Sequence, residues 1–200
     1  MGTKGEETKK CILKTAATLF WEHSYNLVKV DQIVKKARIN KASFYQYFKS
    51  KEQVALDGID FMQEMSEEFL MNAQLHSEPN PILRLEAFIN LIYGRQKYMY
   101  DNEGKLYGCP FVNMSTEMSN ENEEMRKKIT DIFLNFEKFH QTLYEEAKEK
   151  GLATVDMDSS LMGRQISGIL NGASVSSKLK KRPEEFLDAL ITIKVLMGAK

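Results

Sequence analysis

Helix-breaking residues are few in this chain of 200 residues, and the pattern is punctuated at joints by Pro79 and Pro81, the segment DNEGKLYGCP over 101–110, Gly151 and Pro183. Between the joints apolar residues recur at three- and four-residue spacing, and no stretch alternates as a half-buried strand does. The chain is therefore expected to be all-α, with enough residues to bury a sizeable core. Runs such as FINLIY from Phe88 are far shorter than the roughly 20 apolar residues of a membrane span. The polar start MGTKGEETKK lacks the apolar stretch of a secretory signal. A cytoplasmic protein with no membrane partner is expected. Cys11 and Cys109 lie in different segments and form no CxxC or Cys/His pair, so free thiols are expected rather than a disulfide framework or a metal site. No cofactor is expected.

The formal net charge is zero, but it is unevenly divided. The first 51 residues carry eleven Lys or Arg against four acids, a balance of +7, and the remainder carries −7. The first quarter is suited to a polyanion, while the rest would be repelled by the same partner and is expected to face away from it.

Within that basic quarter, residues 6–23 place Ile12, Leu13, Ala16, Ala17, Leu19 and Phe20 on one side of a first helix, and residues 30–37 bring Ile33, Val34 and Ala37 together on a second. Asn40 can cap a third helix through its side-chain oxygen. Ser50 to Gln53 reads S-x-x-Q, a capping box that opens a long fourth helix over residues 51–75. The second and third helices are joined by a turn of a few residues, which is a helix-turn-helix spacing. The third lies in INKASFYQYFKSKE, with four aromatic rings in five residues. Phe44 and Phe48 are four apart and share one face, which can close the small core against Leu19, Phe20 and Ile33. Lys41, Ala42, Ser43, Tyr45, Gln46 and Tyr47 are left to other faces, where small, amide and hydroxyl groups can meet bases or phosphates in a major groove.

From about Thr8 to Leu56, and most sharply in SFYQYFKSKEQV, the sequence resembles the TetR (TetR/AcrR) family of bacterial transcriptional regulators. The resemblance implies a helix-turn-helix DNA-binding domain over residues 1–50, followed by a larger helical ligand-binding and dimerisation domain over residues 51–200, about nine helices in all. It implies a repressor that binds palindromic double-stranded operator DNA as a homodimer and is released by a small-molecule effector. By position, Lys41, Ala42, Ser43 and Tyr45 would face bases, Tyr47 and Lys51 would hold phosphates, and Gln46 would serve either role. The family commonly has Gly where this chain has Ser24 and Arg38, and a capping Ser or Thr near Lys29. Each departure costs about 1 kcal/mol. Lys29 is the candidate to replace the missing phosphate contact by its charge.

Beyond Leu56 the residues must be read for themselves. A fifth helix opening at Pro81 carries Leu85, Phe88, Ile89, Ile92 and Tyr93 inward; a seventh over 122–150 carries Ile129, Ile132, Phe133, Phe136, Phe139 and Leu143 and ends at Gly151. Eleven methionines and nineteen Phe or Tyr can line an adaptable apolar cavity as well as an ordinary core. Tyr93, Cys109, Phe111, Phe133, Phe136 and His140 are the ligand or redox-sensing candidates. Pro110 suits a first helical turn, which would put Cys109 at the start of the sixth helix, where a thiolate is favoured. GCPFVNMSTE is also similar to a pattern in family members that respond to drugs or electrophiles, so a small apolar or electrophilic effector is expected. Helices over 159–179 and 184–197 supply small and apolar residues for a dimeric four-helix bundle, with Ile166, Ile169, Gly172, Ser176, Leu190 and Ile193 as interface candidates.

Two other classes make different demands. His23, His76 and His140 are scattered, and neither G-x-G-x-x-G nor a P-loop is present, so no catalytic role is expected. A helical binding protein with an incidental basic end would show no sequence-specific, steeply salt-dependent DNA binding.

Overall fold

The computed structural model describes residues 4–70 and 78–199. Among the described residues are α1 (Lys4–His23), α2 (Val30–Lys36), α3 (Lys41–Tyr47), α4 (Lys51–Leu70), α5 (Pro81–Glu103), α6 (Pro110–Met118), α7 (Glu123–Glu149), α8 (Ser159–Lys180) and α9 (Glu185–Met197). The all-α expectation holds; the only β pairing among them is an isolated bridge between Ala153 and Ala199. The last residues expected in the fourth helix lie outside the described residues.

The chain divides into two compact units, one of residues 1–67 with 110–129 and the other of residues 68–109 with 130–200. In the first unit, α1 packs on α2 and α6, and α2 on α3. Ile12, Ala16, Phe20, Ile33, Phe44, Phe48, Val54 and Ile59 are all at most 1% exposed. These are the positions the helical periodicity turns inward.

Local chemistry fixes the helix ends. Asn40 Oδ1 accepts the Ser43 N–H at 2.7 Å, and Ser50 Oγ accepts the Gln53 N–H at 3.0 Å. Helix α2 has no side-chain cap from Lys29. Instead Gln32 reaches back, its Oε1 accepting the Lys29 N–H at 2.7 Å, so half of a capping box replaces the absent Ser or Thr. Ser24 and Arg38 adopt φ of 116° and 55°, the left-handed conformation that glycine takes without strain. At Ser24 the side chain offers compensation, because its hydroxyl donates to the Glu117 carboxylate of α6 at 2.8 Å. The same carboxylate also accepts the Asn26 N–H at 3.3 Å.

The second unit is built on one apolar core, with α9 packed on α8 and α5. Leu85, Ile89, Tyr144, Ala147, Met162, Ile166, Ile193 and Met197 have no exposed surface. Asn80 caps α5, accepting the Ile82 N–H at 2.9 Å with Pro81 at the first turn, and Asp158 caps α8, accepting the Leu161 N–H at 2.8 Å. The connection between α7 and α8 is tied back by the Tyr144 hydroxyl, which donates to the Val155 carbonyl at 2.5 Å and accepts the Met157 N–H at 3.1 Å. It is also tied to the end of α9 by the Thr154 N–H, which donates to the Met197 carbonyl at 3.2 Å.

Candidate DNA interface and effector core

Helix α3 sorts its rings as its spacing requires. Phe44 and Phe48 are buried with centroids 5.8 Å apart, while Tyr45 is 49% exposed and meets Phe44 edge-on at 5.3 Å. Lys41, Ala42, Tyr45 and Gln46 are exposed, and Ser43 and Tyr47 are half-buried. One face of a seven-residue helix thus anchors it in the core, and the opposite face presents an amine, a methyl, hydroxyls and an amide. Lys41 is held by Asp31 of α2 at 2.9 Å, and this hydrogen bond and charge hold its amine above the usual lysine range. A base or phosphate contact from Lys41 exchanges that partner for DNA. Lys29 is exposed at the start of α2.

Lys51 is placed differently from its neighbours. Its amine donates to the Tyr25 and Val28 carbonyls at 3.0 and 3.2 Å and lies 4.1 Å from the Tyr25 ring centroid. Burial pushes its pKa down, with the Glu117 carboxylate opposing. Two of its three N–H donors fasten the α1–α2 turn to the start of α4, leaving one for a phosphate.

In the second unit, Tyr93, Phe133, Phe136 and Phe139 are half-buried. His140 is 2% exposed, its ring beside Phe88 and Phe139 with centroids 5.7 and 5.5 Å away. Its Nδ1 lies 2.8 Å from Ser167 Oγ, and its Nε2 has no hydrogen-bond partner. Desolvation pushes its pKa down to about 3, so it is neutral at pH 7. The folded state then resists protonation that the unfolded chain accepts near the ordinary histidine value of about 6.5. The contribution is complete above that value and is lost as pH falls from it toward 3. Denaturant titrations are expected to show His140 removing about 2 kcal/mol between pH 6.5 and 5. The same series on His140→Phe should lack that increment.

Cys109 is half-buried and remains a thiol. Its backbone N–H donates to Ser174 Oγ of α8 at 2.7 Å. Gly108 before it has φ 71°, and a Cβ there would lie 3.2 Å from Ser174 Oγ and 3.8 Å from Lys178 Cδ, so the GC pair sits close on α8. Burial lowers the Arg95 pKa, and the Cys109 sulfur opposes that shift. The Cys109 sulfur and the Arg95 guanidinium therefore interact electrostatically. Phe111 is 1% exposed and belongs to the first unit.

The interface candidates on α8 and α9 differ in burial. Ile166 and Ile193 have no exposed surface and are part of the unit's own core. Gly172 is exposed, and Ile169, Ser176 and Leu190 are half-buried. The uncovered apolar stripe runs through Gly168, Gly172, Val175 and Leu179 on α8, with Ile191 and Val195 on α9; the last four are 53%, 79%, 64% and 74% exposed. Intervals of four, three and four keep the α8 residues in one row. Both faces of α8 carry apolar residues at helical spacing, so spacing alone does not separate this row from the core.

Gln96 was also missed. It is 5% exposed, its Nε2 donates to the Gly108 carbonyl at 3.4 Å, and its Oε1 has no partner. The signal lay in the spacing Phe88–Ile92–Gln96, which puts a polar residue at the next inward position of α5.

No helix among the described residues is long and apolar enough to cross a membrane, and none of their His, Cys, Asp and Glu residues cluster as metal ligands. A three-helix head that buries Phe44 and Phe48 and turns the polar face of α3 outward defines a helix-turn-helix DNA-binding protein. The family described as "Bacterial regulatory proteins, tetR family" matches residues 12–57, and "Tetracyclin repressor-like, C-terminal domain" matches residues 81–193. The chain belongs to the TetR family and is a ligand-responsive, DNA-binding transcriptional regulator rather than an enzyme. It is 29% identical over 133 residues to an uncharacterized HTH-type transcriptional regulator in the lacX 3' region of Lactococcus lactis, covering 66% of this chain and 65% of the relative. The solved structure of a regulatory protein TetR from Rhodobacter sphaeroides superposes with a TM-score of 0.80 at 25% identity, covering 94% of this chain and 96% of that one. The reduced form of NemR from E. coli also superposes with a TM-score of 0.80, at 21% identity and covering 96% and 98%.

Proposed function

We propose that this chain is a cytoplasmic repressor that binds a palindromic operator as a homodimer and is released by a small apolar or electrophilic effector. The observation that carries the reading is the division of α3, with Phe44 and Phe48 locked in the core and Lys41, Ala42, Ser43 and Tyr45 on the side a major groove would meet. Tyr47, Lys29 and the remaining Lys51 donor hold phosphates, and Gln46 reaches a base or a phosphate according to sequence. The DNA head corresponds to residues 1–50 and the effector and dimer part to residues 51–200. A second copy pairs along the stripe Gly168, Gly172, Val175, Leu179, Ile191 and Val195, with Ile169, Ser176 and Leu190 at its margin. A relative called a transcriptional repressor, NemR of E. coli, is 21% identical over 192 residues, which supports repression as the output.

Competition titrations test the DNA assignments. Lys41→Ala should cost about 1–3 kcal/mol at particular base pairs and relax preference there. Tyr47→Phe with Lys29→Ala should weaken all sequences alike and reduce the salt slope by about 1. The reverse pattern would overturn the assignment of bases and phosphates.

The electrophilic arm rests on Cys109, which interacts electrostatically with the Arg95 guanidinium, a cationic influence that favours the nucleophilic thiolate. Treatment with N-ethylmaleimide should release operator DNA from the wild type and leave Cys109→Ser bound. Equal retention by both proteins would remove the electrophile and leave the apolar effector.

A further inference from the structure

Among the described residues, three buried polar atoms in the second unit lack a partner, Arg84 Nε, Gln96 Oε1 and His140 Nε2, and helix geometry puts the last two at opposite ends of one apolar row. At one end, His140 Nε2 is unpartnered while Nδ1 is engaged with Ser167 on α8. At the other, Gln96 Oε1 is unpartnered while Nε2 faces the Gly108 carbonyl, and Gly108 lies against Ser174 on α8. Phe88, which touches the His140 ring, is eight residues before Gln96 on α5, a rise of about 12 Å. Ser167 and Ser174 are seven apart on α8, about 10.5 Å. The two helices therefore measure the same separation independently. Between the ends lie Ile92 on α5 and Leu170 on α8, both apolar and both part of this core.

Unsatisfied buried polar atoms destabilise a folded protein, and two in one row call for an occupant that satisfies both. We infer that this row is the effector site and that its ligand is an uncharged, elongated molecule with an apolar body and a hydroxyl at each end, one on Gln96 Oε1 and one on His140 Nε2. This deepens, and rests on, the reading of the chain as an effector-released regulator. The chemistry follows from the atoms. An amide whose N–H₂ faces a carbonyl turns its oxygen the other way, so Gln96 requires a donor. A hydroxyl can donate or accept and so fits either tautomer of the neutral His140. A carboxylate at that end would be desolvated among the rings of Phe88 and Phe139.

The full-length protein tests this with 4,4′-dihydroxybiphenyl as probe, and with biphenyl-4,4′-dicarboxylate as the charged control. Calorimetry should show binding of the diol and none of the dicarboxylate. Gln96→Met, and separately His140→Phe with Ser167→Ala, should each weaken the diol at least tenfold. Without any ligand both variants should melt at or above the wild-type temperature, because each removes an unsatisfied atom. Lower melting temperatures in both variants, diol binding indifferent to both, or no diol binding would overturn the inference. Operator binding measured on the same preparations separates the two levels. A protein that holds a specific DNA site but fails these tests loses only the ligand assignment, whereas one that holds no site loses the regulator reading as well.

Discussion

Gly163→Ala is expected to lower the melting temperature by up to roughly 4–8 °C. A Cβ at this position of α8 would lie 2.5 Å from the Glu137 carbonyl oxygen and 3.1 Å from both the backbone nitrogen and the Cβ of Gln141 on α7. The obstruction is mainly backbone, so no rotamer change can relieve it, and the two helices must separate. Overpacking of this kind costs about 1–3 kcal/mol, and separation would also loosen the neighbouring core residues Met162 and Ile166, which have no exposed surface. Better helix propensity returns about 1 kcal/mol, leaving a net loss of up to about 2 kcal/mol. Gly94→Ala on α5 is the matched control, since a Cβ there meets nothing within 4 Å and should gain about 0.5–1 kcal/mol. Differential scanning calorimetry of the pair separates close packing from intrinsic propensity.

Val175→Asp combined with Ile191→Asp should convert the dimer to a folded monomer and weaken operator binding more than a hundredfold. Both side chains are more than half exposed in the single chain, so the substitutions cost the protomer little. In a two-fold interface each is counted twice. Burying a Val or Ile side chain contributes about 1.5–3 kcal/mol, and an aspartate in its place adds a desolvated charge. The summed change of several kcal/mol greatly exceeds the roughly 1.4 kcal/mol that shifts a dissociation constant tenfold. Sedimentation velocity should show the monomer, with far-ultraviolet circular dichroism unchanged. Retained dimers would move the interface elsewhere on the chain. The corresponding change at Ile166 is expected to unfold the protomer instead, because that side chain is part of its core.

What could be read from the sequence depended on how local the determining interaction is. Asn40 capping α3 and Ser50 capping α4 involve partners three residues away, so type and spacing were sufficient. The division of rings within α3 was equally legible, because Phe44 and Phe48 lie one turn apart on a single short helix. Ser24 and Arg38 were visible as departures from glycine, and both take the expected left-handed backbone. Legibility failed where two helices decide together. Ile166 and Val175 are both apolar residues of α8, and only packing against α9 and the rest of the unit's core makes one core and the other surface. Lys51 looked like any basic residue near a recognition helix, while its carbonyl partners lie 23 and 26 residues earlier. The Glu117 contacts with Ser24 and Asn26 span more than 90 residues and leave no periodic trace. Gln96 and His140 are hardest of all, because an unpaired buried atom is a property of the whole surrounding core.

The central claim is that a dimer reads a symmetric DNA site with two copies of α3, and selection of bound duplexes from a random library with the purified protein tests it most directly. The selection should be run at two salt concentrations. The account predicts a palindromic consensus whose half-site centres are separated by about 34 Å, one helical turn, or a multiple of it. Affinity should fall steeply at the higher salt as phosphate contacts are lost. Recovery of no preferred sequence, or of a single asymmetric half-site at both salts, would contradict it.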